Sequence, residues 1–527
     1  MAAEPNTGLS GFLAEAAARI AEAAPPGWRR CRANIVTKDG HTAHYDGRYE
    51  LADGETRTGN GELRTDVRAH PSAETRYLMI ELTVESSGRF EAASDYILRG
   101  RSSSAALLII LDHDALPSDP GDEVDGPADP TFAGDPDKAV RLFHTYLRRR
   151  AEILGHEEEL TPPLDPAEQA ELVAALGTGL PPDLAALYSE TDGAFYSDPG
   201  IICNHHWEAL NRLIAPDDGW GAHGECQWID DPLWRIPFDA DPLWAVRRSW
   251  TRKGWIPFAV HPGGESYLAV DMDPGPAGRP GQIILVEMGT DGPLYVADSI
   301  TSLLRRHLQA LDRGEYAADN GRLRIDGLLP DGWQIDKDRK WDADDHGGSL
   351  QGMPPTVQRL YADNPRLEAV HQTPLLRHVV LGGGTCDLSP LREVPLELLG
   401  LHLDSVDLTP LSGHPSIRAV RIGSRQPVDL GVLAALPRLE GLDLSRAAVT
   451  GMDQLAKLDG LLYLCLSFEQ WREFQEHTGG LSSLVAVGLH GSPEPAEINE
   501  WASLFPPTGS EHRHTVQQHT GQWSDRR

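Results

Sequence analysis

The stretch that decides the fold is LEGLDL, residues 439–444, with leucine at its first, fourth and sixth positions. The same apolar-x-x-apolar-x-apolar pattern occurs in six segments: LRHVVL (376–381), LLGLHL (398–403), IRAVRI (417–422), LEGLDL (439–444), LLYLCL (461–466) and LVAVGL (484–489). Their first residues are 22, 19, 22, 22 and 23 positions apart. Self-similarity at such a period indicates one structural unit stacked on copies of itself.

This array resembles the leucine-rich repeat family, which implies an α/β leucine-rich repeat solenoid over residues 371–505. Solenoids bind partners on an extended concave surface. The positions between the apolar residues therefore supply candidate partner-binding side chains on the concave side or its rim: His402, Asp404, Arg421, Asp443, Arg446, Tyr463, Phe468 and Glu469. The last three form the strongest predicted cluster. The alternative is a solvated face without a ligand.

The N-terminal region, residues 1–115, is predicted to be an α+β domain. An amphipathic helix over 8–24 ends at Pro25-Pro26-Gly27, since proline and glycine stop helices. Short apolar or alternating runs then follow to about residue 111, separated by Asp-Gly and Ser-Gly pairs typical of turns.

The remaining boundaries follow from composition and from helix-capping signals. Residues 116–137 are rich in Pro, Gly and Asp and are predicted to be an acidic linker. Residues 138–318 are predicted to form a second α+β domain with a preceding helix. Residues 319–370 are interpreted as a polar, poorly ordered connector, and residues 506–527 as a disordered tail.

The second α+β region resembles the Smi1/Knr4 (SUKH) superfamily. The resemblance rests on LDPAEQAELVAALGTGLPPDLAALYSETDGA (164–194), with Leu176-Gly177, Leu180-Pro181-Pro182 and Asp192-Gly193. Trp255-Ile256-Pro257-Phe258, a glycine turn, GQIILV and a Ser-capped helix follow in the family's order. Glu265-Ser266 and a long Trp-rich insertion over 215–252 depart from it.

The N-terminal domain resembles the YezG-like immunity proteins, through Pro26-Gly27-Trp28 and through Gly88, Phe90 and Tyr96. Both families imply a bacterial immunity protein, or antitoxin, that binds and occludes a polymorphic toxin. They imply neither catalysis nor a cofactor. Some Smi1/Knr4 members imply a different role, that of an intracellular adaptor in protein–protein interactions, and this alternative stays open.

Charge favours a basic protein partner. The chain has 79 acidic and 47 Lys or Arg residues, for a formal charge of −32. Such a field repels nucleic acid and anionic membranes and speeds encounter with basic surfaces; solubility alone is the alternative explanation. No apolar run is long enough to span a membrane, and five scattered cysteines indicate the reducing cytoplasm.

Seven of the 13 tryptophans fall between Trp207 and Trp255, with carboxylates among them. Aromatic side chains dominate binding hot spots, although most tryptophans are expected to be core residues. The candidate partner-binding side chains here are Trp228, Asp230, Asp231, Trp234 and Trp244.

WIPFAVHPGGESYLAVDMDP (255–274) contains a possible nucleophile, Ser266, and a D-x-D motif, Asp271 and Asp273. No glycine follows Ser266 at the spacing of a nucleophile elbow. We therefore interpret the stretch as a β-hairpin, with Asp271 as a carboxylate at the rim of a binding face.

One alternative of another class is a zinc site made by Cys203, His205, His223 and Cys226, since thiolates and imidazoles suit tetrahedral zinc. Its spacing matches no common zinc finger. The sequence thus predicts a multidomain, cytoplasmic, non-enzymatic binding protein without a metal, whose partner is a basic toxin.

Overall fold

The computed structural model describes residues 7–38, 42–64, 77–97, 106–112, 119–194, 200–214, 236–287, 289–319, 322–478, 483–491, 495–505 and 517–523. Two larger antiparallel sheets, one two-stranded antiparallel sheet and one long, mainly parallel sheet organise them. The chain is multidomain, with mixed helices and sheets. Within the described ranges, no helix combines the length and the apolar character needed to cross a bilayer.

The N-terminal unit packs one helix on one face of an antiparallel sheet. Its elements in chain order are α1 (Thr7–Glu22), β1 (Trp28–Lys38), β2 (Thr42–Leu51), β3 (Thr56–Arg64), β4 (Tyr77–Glu85) and β5 (Arg89–Ile97). Leu13, Ala17 and Ile20 of the helix are buried in one cluster with Ile35 and Leu82 of the sheet. The predicted order of a helix followed by strands corresponds to this arrangement.

One edge strand of this sheet is formed by residues more than 400 positions later in the sequence, 517–522. β22 (Gln517–Gln522) pairs antiparallel with β5, so the prediction of a disordered tail is corrected for these residues. Trp523 then stacks on Trp28 at 6.4 Å between ring centroids and donates from Nε1 to the Glu85 carbonyl at 3.1 Å. The strand sequence QQHTGQ has no apolar alternation, and for this reason the pattern did not predict it.

The middle unit covers one face of a second antiparallel sheet with helices. Its helices are α2 (Pro136–Leu154), α3 (Pro166–Ala175), α4 (Pro182–Tyr188), α5 (Leu210–Ile214) and α6 (Ile300–Arg313). Its strands are β7 (His206–Trp207), β8 (Trp255–Val260), β9 (Ser266–Asp271), β10 (Gln282–Glu287) and β11 (Leu294–Ala297), in the order β11-β10-β9-β8-β7. Asp135, Asp165 and Ser299 cap α2, α3 and α6 through their side chains.

The C-terminal region forms the long sheet, here called the repeat sheet. Its parallel strands are β14 (Lys340–Asp342), β15 (Arg359–Asp363), β16 (His378–Gly383), β17 (Leu398–Leu403), β18 (Ala419–Asp429), β19 (Gly441–Thr450), β20 (Tyr463–Leu466) and β21 (Ala486–His490). This consecutive order is compatible with a repeat fold. From the earlier part of the chain, β6 (Ala106–Ile110) pairs antiparallel with β21 at the end of the sheet.

The connector prediction is corrected, because residues 319–370 supply β14 and β15. They also supply β12 (Ala317–Asp319) in part, β13 (Arg322–Arg324) and the helix α7 (Gly332–Asp338). After the repeat strands the chain adds α8 (Phe468–Thr478) and α9 (Pro495–Ser503). VQRLYA (357–362), which leads into β15, satisfies the apolar frame through Val357, Leu360 and Ala362, but the prediction overlooked it. β14 does not satisfy the frame, because a polar residue, Asp338, stands at its first position.

The second predicted repeat core is shifted by two residues. Leu381 pairs with Leu401, so Leu396, Leu399 and Leu401 occupy the buried frame that the pattern assigned to residues 398–403. The stretch LELLGLHL satisfies the pattern in both frames, and only the pairing with β16 chooses between them.

The predicted acidic linker is an ordered segment, residues 119–135, that we call the strap. Its carboxylates pair with a basic segment of the middle unit: Asp122 with Arg252 at 3.0 Å, and Asp119 with the Ser249 hydroxyl. Arg247 donates to the Gly121 carbonyl at 2.7 Å. Composition predicted the acidity of the strap but could not show that Arg252, 130 residues after Asp122, pairs with one of its carboxylates.

Three buried charges and one largely buried charge, Arg377, join the middle unit to the repeat sheet. Arg248 forms a two-pronged pair with Glu397 at 2.6 and 3.3 Å. Arg377 contacts Asp239 at 3.2 Å and Glu397 at 3.5 Å. Asp239 and Glu397 are 2% and 5% exposed. We call these residues the four-charge cluster; its two positive and two negative groups balance.

Candidate functional site

The stretch 255–274 folds as the predicted hairpin. β8 and β9 pair antiparallel, and the turn between them closes with the His261 amide donating to the Ser266 carbonyl at 2.8 Å. Gly264 has φ +75°, a conformation that favours glycine. Beside the turn, His261 contacts Glu265 at 2.8 Å. The glycine pair therefore shapes a turn.

Ser266 lies in a buried polar contact with His205. The Ser266 hydroxyl is 2.9 Å from His205 Nε2, and His205 Nδ1 is 2.8 Å from the Cys203 carbonyl. Because a carbonyl only accepts, Nδ1 carries the proton and Nε2 accepts from the hydroxyl. Burial lowers the pKa of His205 to about 4, which keeps the ring neutral. This contact links the β7 edge to β9, and the group that orients the imidazole through Nδ1 is a backbone carbonyl.

Asp271 is fully buried, which corrects the prediction of a rim carboxylate. It accepts from Gln282 Nε2 at 2.9 Å and from the Asp273 amide at 2.9 Å. Gln282 also donates to the Ala245 carbonyl at 2.8 Å. The carboxylate therefore holds the segment after residue 236 against the sheet. Only the path of that segment buries Asp271, and the local sequence does not encode this path.

Asp273, the second carboxylate of the D-x-D motif, forms ion pairs with two arginines. Asp273 Oδ2 contacts Arg252 Nε at 2.8 Å and Nη2 at 2.6 Å, and Asp273 Oδ1 contacts Arg247 at 3.1 Å. Since both arginines also contact the strap, the motif ties the strap to the hairpin. This is a structural role for Asp273.

Burial raises the pKa of Asp271 to about 7, while Gln282 opposes the shift. The folded state then holds a proton that the unfolded chain, with a pKa near 3.9, releases. The stabilisation by this proton is complete below about pH 4 and is lost as the pH rises to about 7, at about 1.4 kcal/mol per pH unit. As the pH rises from 5 to 8, the free energy of unfolding of Asp271→Asn should increase by about 3 kcal/mol relative to that of the wild type.

Urea denaturation of both proteins at several pH values measures this difference. Asp312→Asn, at an exposed position of α6, is the control and should show no such gain. An Asp271→Asn difference that stays flat with pH would show that Asp271 is ionised throughout.

The zinc alternative loses part of its support. Cys203 Sγ lies 3.6 Å from His307 Nε2, which also accepts from the Cys203 amide at 2.9 Å. Burial raises the pKa of the Cys203 thiol, so the thiolate that zinc requires is disfavoured. His223 and Cys226 lie outside the described residues. Among the residues that are described, no group of three His, Cys, Asp or Glu is arranged to hold a metal.

The tryptophans of the insertion divide between core and surface. Trp207 and Trp255 are core residues, 1% and 2% exposed. Trp244 is 45% exposed. The other predicted partner-binding residues of this region lie outside the described residues: Trp228, Asp230, Asp231 and Trp234.

Trp244 stands on a backbone that is held in a rare conformation. Its φ is +65°, which costs a non-glycine residue on the order of 1 kcal/mol or more. The Ala277 amide donates to the Trp244 carbonyl at 3.0 Å, and the Gly275 amide to the Ala245 carbonyl at 3.1 Å. The neighbouring Leu243 is 40% exposed. The fold thus fixes two large apolar side chains in solvent.

The loop 274–281 connects this tryptophan to the strap. The Ala128 amide donates to the Pro276 carbonyl at 3.0 Å, and Phe132, 39% exposed, lies against Gly281. We call the neighbouring exposed residues Leu243 and Trp244 the Trp244 patch. Asp125 and Asp241, both exposed, lie in the same two segments.

Several predicted residues of the repeat sheet are buried instead of presented. Phe468 belongs to the core, because the chain enters α8 there and turns the ring inward. Tyr463 and Asp443 are each 5% exposed. Among these predictions, the hot spot of Tyr463, Phe468 and Glu469 is corrected: only Glu469 is exposed.

Other predicted residues do meet on the exposed face of the sheet. Arg421 Nε contacts Asp443 at 2.9 Å, and Arg446 Nη2 donates to His490 Nε2 at 3.1 Å. His402 stands in the neighbouring strand. Asp404 lies at the other edge, paired with Arg425 at 3.1 Å. His490 was missed, although it follows the sixth apolar position of the last repeat and so alternates onto this face.

Comparison with known proteins bears on the middle unit. Residues 163–306 match the SMI1/KNR4 family (SUKH-1). A KNR4/SMI1 homolog of Yarrowia lipolytica is 34% identical over 87 residues, or 16% of this chain. The chain spans only 12% of the length of that relative. A SMI1/KNR4 domain therefore lies at residues 163–306.

Among solved structures, an internalin (inlF) from Listeria monocytogenes is similar in part. The likeness covers 27% of this chain and 62% of the internalin, at 17% identity and a TM-score of 0.17.

Proposed function

We propose that this chain is a bacterial immunity protein that binds and occludes a toxin, without catalysis and without a cofactor. The Trp244 patch carries the proposal. A rare backbone conformation that projects a tryptophan and a leucine into solvent indicates selection for contact and not for packing. Immunity by toxin binding is also a known role of the family that residues 163–306 match.

The mechanism that fits this surface is steric and electrostatic. Trp244 would insert into the toxin as an apolar anchor, while the field of a chain with charge −32 attracts a basic surface. Charge then sets the rate of encounter and the aromatic anchor sets the lifetime of the complex. We expect salt to slow association much more than it speeds dissociation.

The flanking units extend the proposal. We interpret the N-terminal unit as YezG-like and the C-terminal region as a leucine-rich repeat array. In this proposal the protein is cytoplasmic and binds its toxin through more than one surface. The second candidate is an intracellular adaptor, favoured by the match to a KNR4/SMI1 homolog.

Co-expression separates the two candidates. The full chain is expressed together with each toxin domain encoded beside its gene, and growth of the host is measured. Restored growth together with a complex that survives gel filtration supports immunity. If every such toxin still kills and none binds, the immunity proposal fails and the adaptor remains.

A further inference from the structure

A second surface, of the opposite charge, crosses the exposed face of the repeat sheet. His402 of β17 pairs with Gly423 of β18, which pairs with Arg446 of β19. Arg446 reaches His490 of β21, and Arg421 lies two residues before Gly423 on the same face. We call His402, Arg421, Arg446 and His490 the basic strip.

Glycines leave the floor of this strip open. Gly400 pairs with Arg421, and Gly423 separates His402 from Arg446. A Cβ added to Gly423 would lie 3.0 Å from His402 Nδ1 and 3.5 Å from Arg446 Cβ. With hydrogen there instead, a ligand can approach the strand backbone between the two basic side chains.

The charges of the strip do not cancel. Asp443 is the carboxylate that contacts Arg421, and it also accepts from the Ser445 amide at 3.0 Å and hydroxyl at 2.6 Å. Arg446 itself bonds to the His490 imidazole, and among the described residues its side chain contacts no carboxylate. Burial lowers the pKa of His490, and Arg446 lowers it further, so at neutral pH the ring is uncharged. Because Nε2 accepts from Arg446, the ring offers one donor, Nδ1.

The N-terminal sheet adds to this positive field. Arg48 of β2 lies close enough to His490 to contribute to lowering its pKa. Arg48 stands directly opposite Arg32 of β1. Arg32 interacts electrostatically with Glu81 of β4, so Arg48 is the member of this pair that adds to the field beside the strip.

We propose that the basic strip binds an acidic segment of a partner protein in an extended conformation. From β17 to β21 the strip spans four strand spacings, about 19 Å, which matches about six extended residues. A single anion would fill only part of this length. This proposal goes beyond the immunity function and does not depend on it. The immunity proposal uses the Trp244 patch and a basic partner, whereas this proposal uses the basic strip and an acidic partner.

Binding of a labelled octaglutamate peptide to the full chain tests the proposal. Fluorescence anisotropy at low salt should show binding that octaglutamine lacks and that salt abolishes. Arg446→Glu replaces an attraction with a repulsion and should weaken binding about tenfold. Arg446→Gln should weaken it less. Because Arg446 is exposed, both variants should fold as the wild type does.

Arg425→Glu is the matched control. Arg425 is on the same sheet, with a side chain that is 85% exposed, but it lies at the edge beside Asp404. It should leave peptide affinity unchanged. Absence of octaglutamate binding, or equal weakening by both reversals, would overturn the proposal. Complete displacement of the peptide by millimolar inorganic phosphate would show a single-anion site and would overturn the extended segment.

Discussion

Asp239→Ala should lower the free energy of unfolding by about 3–5 kcal/mol and loosen the middle unit from the repeat sheet. The variant removes one of two carboxylates in the four-charge cluster, so Arg248 and Arg377 are left to share Glu397. One positive charge then stays buried without compensation. Urea denaturation measures the stability, and small-angle scattering measures the expansion.

Asp404→Ala is the control for this effect. It also removes a carboxylate that faces an arginine, but the pair is 57% and 85% exposed. Exposed pairs contribute about 0–1 kcal/mol. If Asp239→Ala were no more destabilising than Asp404→Ala, the two units would be held together by contacts other than the cluster.

Trp244→Ala should weaken toxin binding by about 2 kcal/mol or more, roughly 30-fold, because large aromatic anchors dominate interface energies. Alanine keeps the strain of a positive φ and removes only the indole, so the free energy of unfolding should hardly change. Isothermal titration with the toxin found by co-expression gives the affinity, and the same protein preparation gives the stability.

Trp333→Ala is the matched variant, since Trp333 is 75% exposed and lies on a different element, α7. It should leave the affinity as it is. A toxin that tolerates Trp244→Ala but not Trp333→Ala would place the interface on α7 instead.

Sequence patterns predicted local structure well where the signal was local. The helix capped by Ser299, the glycine turn at Gly264 and five of the six repeat frames lie where the sequence placed them. Each depends on contacts within a few residues or on one repeated apolar pattern. The alternative frame around Leu398 shows the limit, since pairing with a neighbouring strand decided it.

The candidate sites were harder to predict, because exposure depends on distant segments. Asp271 is buried by Gln282 and by the segment at Ala245, and Phe468 is buried because a helix starts there. Trp244 was predicted from composition, but the exposure of its side chain depends on a rare backbone conformation that a sequence pattern does not predict. His490 could have been predicted from the sequence, because it continues the alternation of the last repeat.

The exchange of edge strands between the two ends of the chain has a consequence for synthesis. β5 gains its partner β22 only when residues 423 positions after Ser94 have been made, since Gln517 pairs with Ser94. At about 5–20 residues per second, that edge waits roughly 20–85 seconds on the ribosome. Open strand edges invite wrong pairing. We therefore expect nascent chains, and not the finished protein, to be the form that needs chaperones.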